Sequence, residues 1–278
     1  GIISGIIFFY PLYGLPGLAY GVLFGAFLHL VAQVPFVLRT KLMPRIVIFN
    51  LKDIWQVSLV SFYRTMALSM SNAALLVLSA IGSFMTAGSI AVFNLSWNMQ
   101  SVPLAIVGVS YSLAIFPTIS KHFSQGDHGK FVSDMSAAAR HIIFWSLPIV
   151  ALFIVLRAQI VRTILGSGAF SWSNTRLTAA ALAIFSVSIV AQSLSLLFVR
   201  AYYASGRTRR PLLIDFVSAG LIAVFGFSFW KIFTVVPLFR YFMESLLRVN
   251  DIPGTEVLML PLAYSAGMIF NMVAFWFV

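Results

Sequence analysis

Eight long apolar runs, each cut off by glycine, proline or charge, leave this chain few ways to fold. They fall at 1–13, 16–38, 54–85, 88–120, 134–156, 174–204, 211–233 and 257–278. A helix that crosses a bilayer needs about 20 mainly apolar residues. Only 9% of the 278 residues are charged and 60% are hydrophobic, where a soluble domain carries about 25% charge. So few charges cannot wet a globular surface, so most of the surface must face lipid. Barrel strands would show about ten residues of strict alternation, whereas these runs are apolar on every side. In lipid the backbone is satisfied only by helices or closed barrels. The chain is therefore expected to be all-α, a polytopic membrane bundle of about eight transmembrane segments. Gly1 stands inside an apolar run, which predicts a chain that begins within a helix of a longer protein.

The net charge of +11 comes from 18 Lys and Arg against 7 Asp and Glu. In a soluble protein it would point to nucleic acid. Here the positions decide otherwise. Arg39, Lys41, Arg45, Lys52, Lys121, Lys130, Arg207, Arg209 and Arg210 occupy alternate loops, which share one side of a membrane. The opposite loops hold fewer: Arg157, Arg162, Arg176, Lys231, Arg240 and Arg248. Basic loops are retained in the cytoplasm, so loops 39–53, 121–133 and 205–210 are read as cytoplasmic and no nucleic-acid partner is expected. In "SGRTRRP", Gly206 is placed to end one helix and Pro211 to sit in the first turn of the next.

Catalytic signals are weak. There is no cysteine, which excludes disulfides and thiol chemistry. His29, His122, His128 and His141 form no ligand spacing, and neither a metalloprotease nor a hydrolase motif is present. No enzyme, no cofactor and no metal site is expected. Asp215, the one acid within a predicted span, reads as a helix-start residue.

Polar residues inside apolar helices are the better pointers to function. Asn94, Asn98 and Ser101 recur at i, i+4 and i+7, followed by Pro103, which favours a kink. Ser61, Arg64, Ser71 and Asn72 share a broad face of the preceding run. One reading is a hydrated cavity between the two helices, with Arg64 offering charge to an anionic substrate. The other is interhelical hydrogen bonding, with Arg64 snorkelling to the interface. Gly17, Gly21 and Gly25 form a stripe for close helix approach. Residues 237–249 put Leu238, Phe239, Phe242, Leu246 and Val249 on one face and Arg240, Glu244 and Arg248 on the other. That stretch is read as an interfacial helix with i, i+4 ion pairs.

Four stretches, in order, resemble the MviN/MurJ lipid II flippases of the MOP exporter superfamily. "GLAYGVLFGAFLHLVAQVP" looks like the family's sixth helix, and "GSIAVFNLSWNMQSVPLAIVGVSYSLAIFPTISK" like its eighth. "IVRTILGSGAFSWSNT" looks like the turn after the ninth, and "LLFVRAYYASGRTRRPLL" like a helix end followed by its basic turn. The resemblance implies a two-lobed, inverted-V bundle that moves an undecaprenyl diphosphate-linked peptidoglycan precursor across the bacterial inner membrane by alternating access. By it, residues 1–38 are the end of the first lobe and 39–53 a cytoplasmic basic linker. Residues 54–278 then form the second lobe, with six helices and the interfacial helix near 237–249. Its partners would be the lipid-linked substrate, the bilayer and possible cell-wall synthesis proteins. Where the family's eighth helix carries an Asp-Arg pair, this chain has Trp97 and Asn98. That departure keeps a related polysaccharide-lipid or drug exporter, or a non-transporting scaffold, as alternatives. The substrate-cavity candidates are Arg64, Asn72, Asn94, Trp97, Asn98, Ser101 and Arg200.

Overall fold

The computed structural model describes residues 2–39, 51–166 and 170–277. The chain separates into two compact units, Gly1–Trp55 and Gln56–Val278. Among the described residues every regular element is helical.

The first unit holds α1, Ile2–Tyr13, and α2, Leu15–Arg39. Gly14 turns the chain between them at φ 64°, a left-handed value that favours glycine. The two helices meet almost backbone to backbone. A Cβ on Gly5 would stand 2.8 Å from the Gly21 Cα, and one on Gly17 would run into the Phe9 carbonyl. The predicted stripe thus has its close neighbour at Gly17 and Gly21, and that neighbour is α1, which takes a π turn at Gly5–Phe9. Phe9 on Phe24 and Tyr13 on Tyr20 flank the contact edge to face.

The second unit begins in α3, Leu51–Gly82, and continues through α4, Ser89–Ser124; α5, His128–Val155; and α6, Arg157–Leu165. Then come α7, Trp172–Val187; α8, Ile189–Ala204; α9, Arg209–Val235; α10, Pro237–Leu247; and α11, Met259–Phe277. Helices α2, α4, α5 and α9, and α11 with its leading turn, are long and apolar enough to cross a membrane; α7 and α8 together add a sixth span.

Local chemistry sets the boundaries. Asp127 caps α5 by accepting from the Lys130 amide, and Ser171 caps α7 by accepting from the Asn174 amide. Gly206 ends α8 at φ 72°, while the Arg207 amide returns to the Tyr202 carbonyl. Pro211 follows in the first turn of α9, as its spacing predicts.

Helix α7 is the centre of the unit, buried from Leu177 to Ser186. Leu78, Phe93, Phe185, Leu258 and Leu260 form the largest apolar cluster around it. The outward face is greasy as well: Phe144 is 65% exposed and Leu152 55%. Such side chains at this density require lipid, not water, beside them.

The stretch read as an amphipathic helix at 237–249 is helical over Pro237–Leu247, and Arg240 pairs with Glu244 at 2.9 Å. Its faces differ from the expected division. Leu238, Phe242 and Leu246 are exposed, while Met243, Leu247, Val249 and Glu244 point inward. Glu244 turns in because Thr255 Oγ1 donates to its carboxylate at 2.6 Å beside the Arg240 bond.

Candidate functional site

The most irregular part of the second unit is where α4 crosses α8. In α4, Pro103 lacks an amide hydrogen, and the helix widens at once into a π turn, Ala105–Val109. There the Ser110 amide and hydroxyl both reach the Ala105 carbonyl, the hydroxyl at 3.0 Å. Proline and the π turn together give the physical cause of a bend. Opposite, α7 and α8 form one apolar stretch broken at Ser188 and bent by 43°. Ser186 and Ser188 donate their hydroxyls back to Leu182 and Phe185, at 2.7 Å each. Such back-bonding competes with the helix ladder and bends it.

The π turn touches α8 just beyond its break. A Cβ on Gly108 would lie 2.6 Å from Ser193 Oγ and 3.0 Å from its Cα. One turn below the break, Gln192 donates to Ser188 Oγ at 2.8 Å and to Gln100 Oε1 at 3.2 Å, and accepts from Tyr264 OH at 3.3 Å. Gln100, Gln192 and Tyr264 are buried, and Gln100 Nε2 has no partner among the described atoms. Three helices are therefore joined through two amides and a phenol close to the π turn of α4 and the break before α8.

Trp97 seals this polar network. Its ring meets Tyr264 at 4.8 Å and Phe185 at 5.6 Å, both edge to face, and Phe93 adds a fourth ring against Phe185. An indole at this position thus packs into an aromatic box, where a charged side chain would lie desolvated.

The other candidates are dispersed. Asn94 and Asn98 lie one turn apart on α4 and are exposed, as is Asn72 on α3. Ser101 is half-buried and donates to the Asn98 carbonyl of its own helix at 2.7 Å. Arg200 donates from Nε to Ser112 Oγ at 3.0 Å, which ties α8 to α4. Arg64 lies within α3, and its side chain is outside the described residues, as are residues 40–50 of the basic linker. The C-terminal half of α3 packs on α9 and α11: Gly226 admits Leu78 and Ile81, and Gly82 faces Leu260.

Two further polar clusters were not singled out in the sequence. Asn271 on α11 donates to Asp215 Oδ1 and Ser218 Oγ on α9, each at 3.0 Å, so Asp215 joins two helices; it lies in the second turn of α9, whose first turn holds no acid, and does not open the helix as its position suggested. On the side where α5 ends, Arg176 grips Asp251 with two bonds of 2.6 and 2.7 Å and also reaches the Arg248 carbonyl. These bonds hold the Asp251 carboxyl below its ordinary pKa of 3.8. Nearby, burial and then the charge of Arg248 push the Arg157 guanidinium down. Glutamines inside apolar runs were the one legible sign of the central network, and nothing local tied Gln100 to Gln192.

The comparisons agree with one another. The profile of the family described as "Lipid II flippase MurJ" matches residues 1–278. A probable lipid II flippase MurJ of Thermotoga maritima is 28% identical over 176 residues, 60% of this chain and 36% of that protein. The namesake of Bdellovibrio bacteriovorus is 26% identical over 207 residues, 73% of this chain and 39% of its own. A solved structure described as lipid II flippase MurJ in an inward closed conformation superposes with a TM-score of 0.72. It is 19% identical, and the match covers 99% of this chain and 53% of that one, a likeness of fold. The chain thus spans about half or less of the length of the relatives it matches.

Proposed function

We propose, from the premise that this chain belongs to the lipid II flippase MurJ family, that it is the part of a transporter in which one lobe bends. The protein would move lipid-linked peptidoglycan precursor, carried on an undecaprenyl diphosphate, across the bacterial inner membrane by alternating access. It would do so as a carrier, without catalysis. Residues 1–38 would close the first lobe, 39–53 would link the lobes in the cytoplasm, and 54–278 would form most of the second.

The observation that carries this reading is the crossing of a helix widened by a π turn with a pair of helices that is broken and bent. Transporters rock or gate one repeat about a fixed site, and the site is commonly lined by discontinuous helices. Here the π turn of α4 meets α8 at Gly108 and Ser193, little more than one turn beyond the break at Ser188. Two rows of side chains leave that hinge on the same helix. Trp97 faces the packed interior, while Asn94 and Asn98 are exposed and free to line a polar path. Asn72, Ser101, Arg64 and Arg200 complete the candidate lining. With Trp97 in place of a charge, the diphosphate would be met by amides here and by cations elsewhere in the protein. Electrostatic attraction from Arg64 is one such source.

The chain has no cysteine, which makes accessibility a clean test. Single cysteines at Asn72, Asn94 and Asn98 in the full chain are treated with a charged, membrane-impermeant thiol reagent from each side. Leu78 and Val107, 0% and 3% exposed, serve as packed controls. Asn94 and Asn98 should label well above the controls from at least one side, and added lipid-linked precursor should slow the reaction. Labelling at the level of Val107 would remove the cavity and leave the polar row as helix-to-helix bonding.

A further inference from the structure

We infer that the second unit carries a binding site for an anionic glycerophospholipid, with one acyl chain seated beneath α10 and the phosphate on Arg157. The site is a cavity of about 460 Å³ between the end of α5, the α7–α8 break, α10 and α11. That volume lies in the range of ligand pockets, about 300–1,000 Å³. Its wall is aliphatic, from Ala183, Val187, Leu247, Leu262, Ala266 and Ile269. The one hydroxyl in that wall, on Ser265, already donates to the Ile184 carbonyl at 3.0 Å. Such a wall matches hydrocarbon and offers nothing to a polar occupant.

Arg157 is the exception, and its chemistry selects the headgroup. It lines the same cavity, half-buried, at the point where α5 has ended and α6 begins. A guanidinium has five donors, and the one hydrogen bond described for Arg157 runs from Nη2 to the Leu247 carbonyl at 3.0 Å. No described ion pair gives it a carboxylate, and the like charge of Arg248 acts on it. Burial and that repulsion both disfavour its cationic form. A bound anion would reverse the second effect and accept the remaining donors, ideally two at once. The end of a membrane-crossing helix is also the depth at which a lipid phosphate lies when its chain enters the hydrocarbon. Free phosphate would leave the aliphatic wall empty, a lipid without a phosphate would leave the donors of Arg157 unused, and a zwitterionic headgroup would add a further cation where Arg157 and Arg248 already repel. An anionic phospholipid satisfies both halves of the site.

The test uses the full chain in detergent, titrated with dioleoylphosphatidylglycerol and read by native mass spectrometry. Dioleoylphosphatidylcholine, inorganic phosphate and oleyl alcohol form the comparison arms. Phosphatidylglycerol should bind saturably and more tightly than phosphatidylcholine, and neither phosphate nor oleyl alcohol should displace it at equal concentration. Arg157→Gln should weaken binding roughly tenfold to a hundredfold, the worth of one or two charge-assisted hydrogen bonds. Ala266→Phe leaves Arg157 intact and fills the cavity, so it should weaken binding comparably; it also serves if Arg157→Gln fails to fold. Equal affinity for the two phospholipids would overturn the inference. So would loss of binding in Arg157→Gln alone, which marks a phosphate site without a chain. Absence of saturable binding would overturn it as well, because another part of the protein then covers the cavity.

Discussion

Replacing Gly108 with alanine tests the crossing of α4 and α8 most directly. The added Cβ would stand 2.6 Å from Ser193 Oγ and 3.0 Å from its Cα and Cβ, where ordinary contact begins at 3.4 Å. A hydroxyl can rotate away, but a Cα moves only with its helix. Overpacking of this kind costs about 1–3 kcal/mol. Against it stands the gain of alanine over glycine in a helix, up to about 1 kcal/mol. Gly220 supplies the reference, since it lies within α9, is exposed, and has nothing within 4 Å of an added Cβ. Gly220→Ala should therefore be neutral to stabilising, and Gly108→Ala should fall below it by about 1–3 kcal/mol. Unfolding in mixed micelles of rising dodecyl sulfate content, followed by circular dichroism, measures the difference. Adding Ser193→Ala to Gly108→Ala removes the 2.6 Å contact and leaves the two at 3.0 Å, so recovery should be partial. If Gly108→Ala proves as stable as Gly220→Ala, the helices are not in the contact described and the hinge argument fails with it.

Other outcomes follow from other parts of the molecule. Reporters active only outside the cytoplasm should stay silent in loops 121–133 and 205–210 and signal near 248–254; a strong signal at 205–210 reverses the orientation. Residues 1–278 alone, reconstituted in vesicles with labelled lipid-linked precursor, should not exceed empty-vesicle transport, because alternating access needs both lobes. Asn271→Leu removes two interhelical bonds and strands Asp215 and Ser218. It should cost about 1 kcal/mol, since such bonds average about 0.6 kcal/mol each in membranes, and dodecyl sulfate titration reads it. The carboxyl of Asp251 has a lower pKa folded than unfolded, so its contribution is present above pH 3.8 and is lost as pH falls through the folded value. A spin label at Asn250 should therefore gain mobility below that pH in the parent and be mobile throughout in Asp251→Asn.

The helices were legible because lipid removes the need for amphipathic periodicity and leaves length and interruption as the signals. Gly206 and Pro211 could be placed by their backbone chemistry alone, and the Gly17–Gly21 stripe by its spacing. The break at Ser188 could not, since it lies inside an unbroken apolar run and rests on two hydroxyls that a straight helix also tolerates. The Gln100–Gln192–Tyr264 network was hidden by separations of 92 and 72 residues along the chain. The inward turn of Glu244 escaped pattern reading because Thr255, its partner, lies beyond the helix. Trp97 could be seen as a departure from the family, but the rings that receive it, Phe185 and Tyr264, come from two other helices.

The turn after α3 has a consequence for biogenesis. Glu256, just before α11, accepts from both the amide and the hydroxyl of Thr86 at 2.7 and 2.8 Å, across 170 residues of sequence. Leu78 and Gly82, on the same helix, likewise pack against α9 and α11. An α3 emerging from the ribosome meets Ile90 of α4 first and Gly226 of α9 later, and its set of partners is completed only when α11 has been made. At about 5–20 residues per second of synthesis, that interval is on the order of ten seconds or more. During it α3 must be sheltered by lipid or by the insertion machinery, and the second unit closes like a clasp, its earliest segment fastened by its latest.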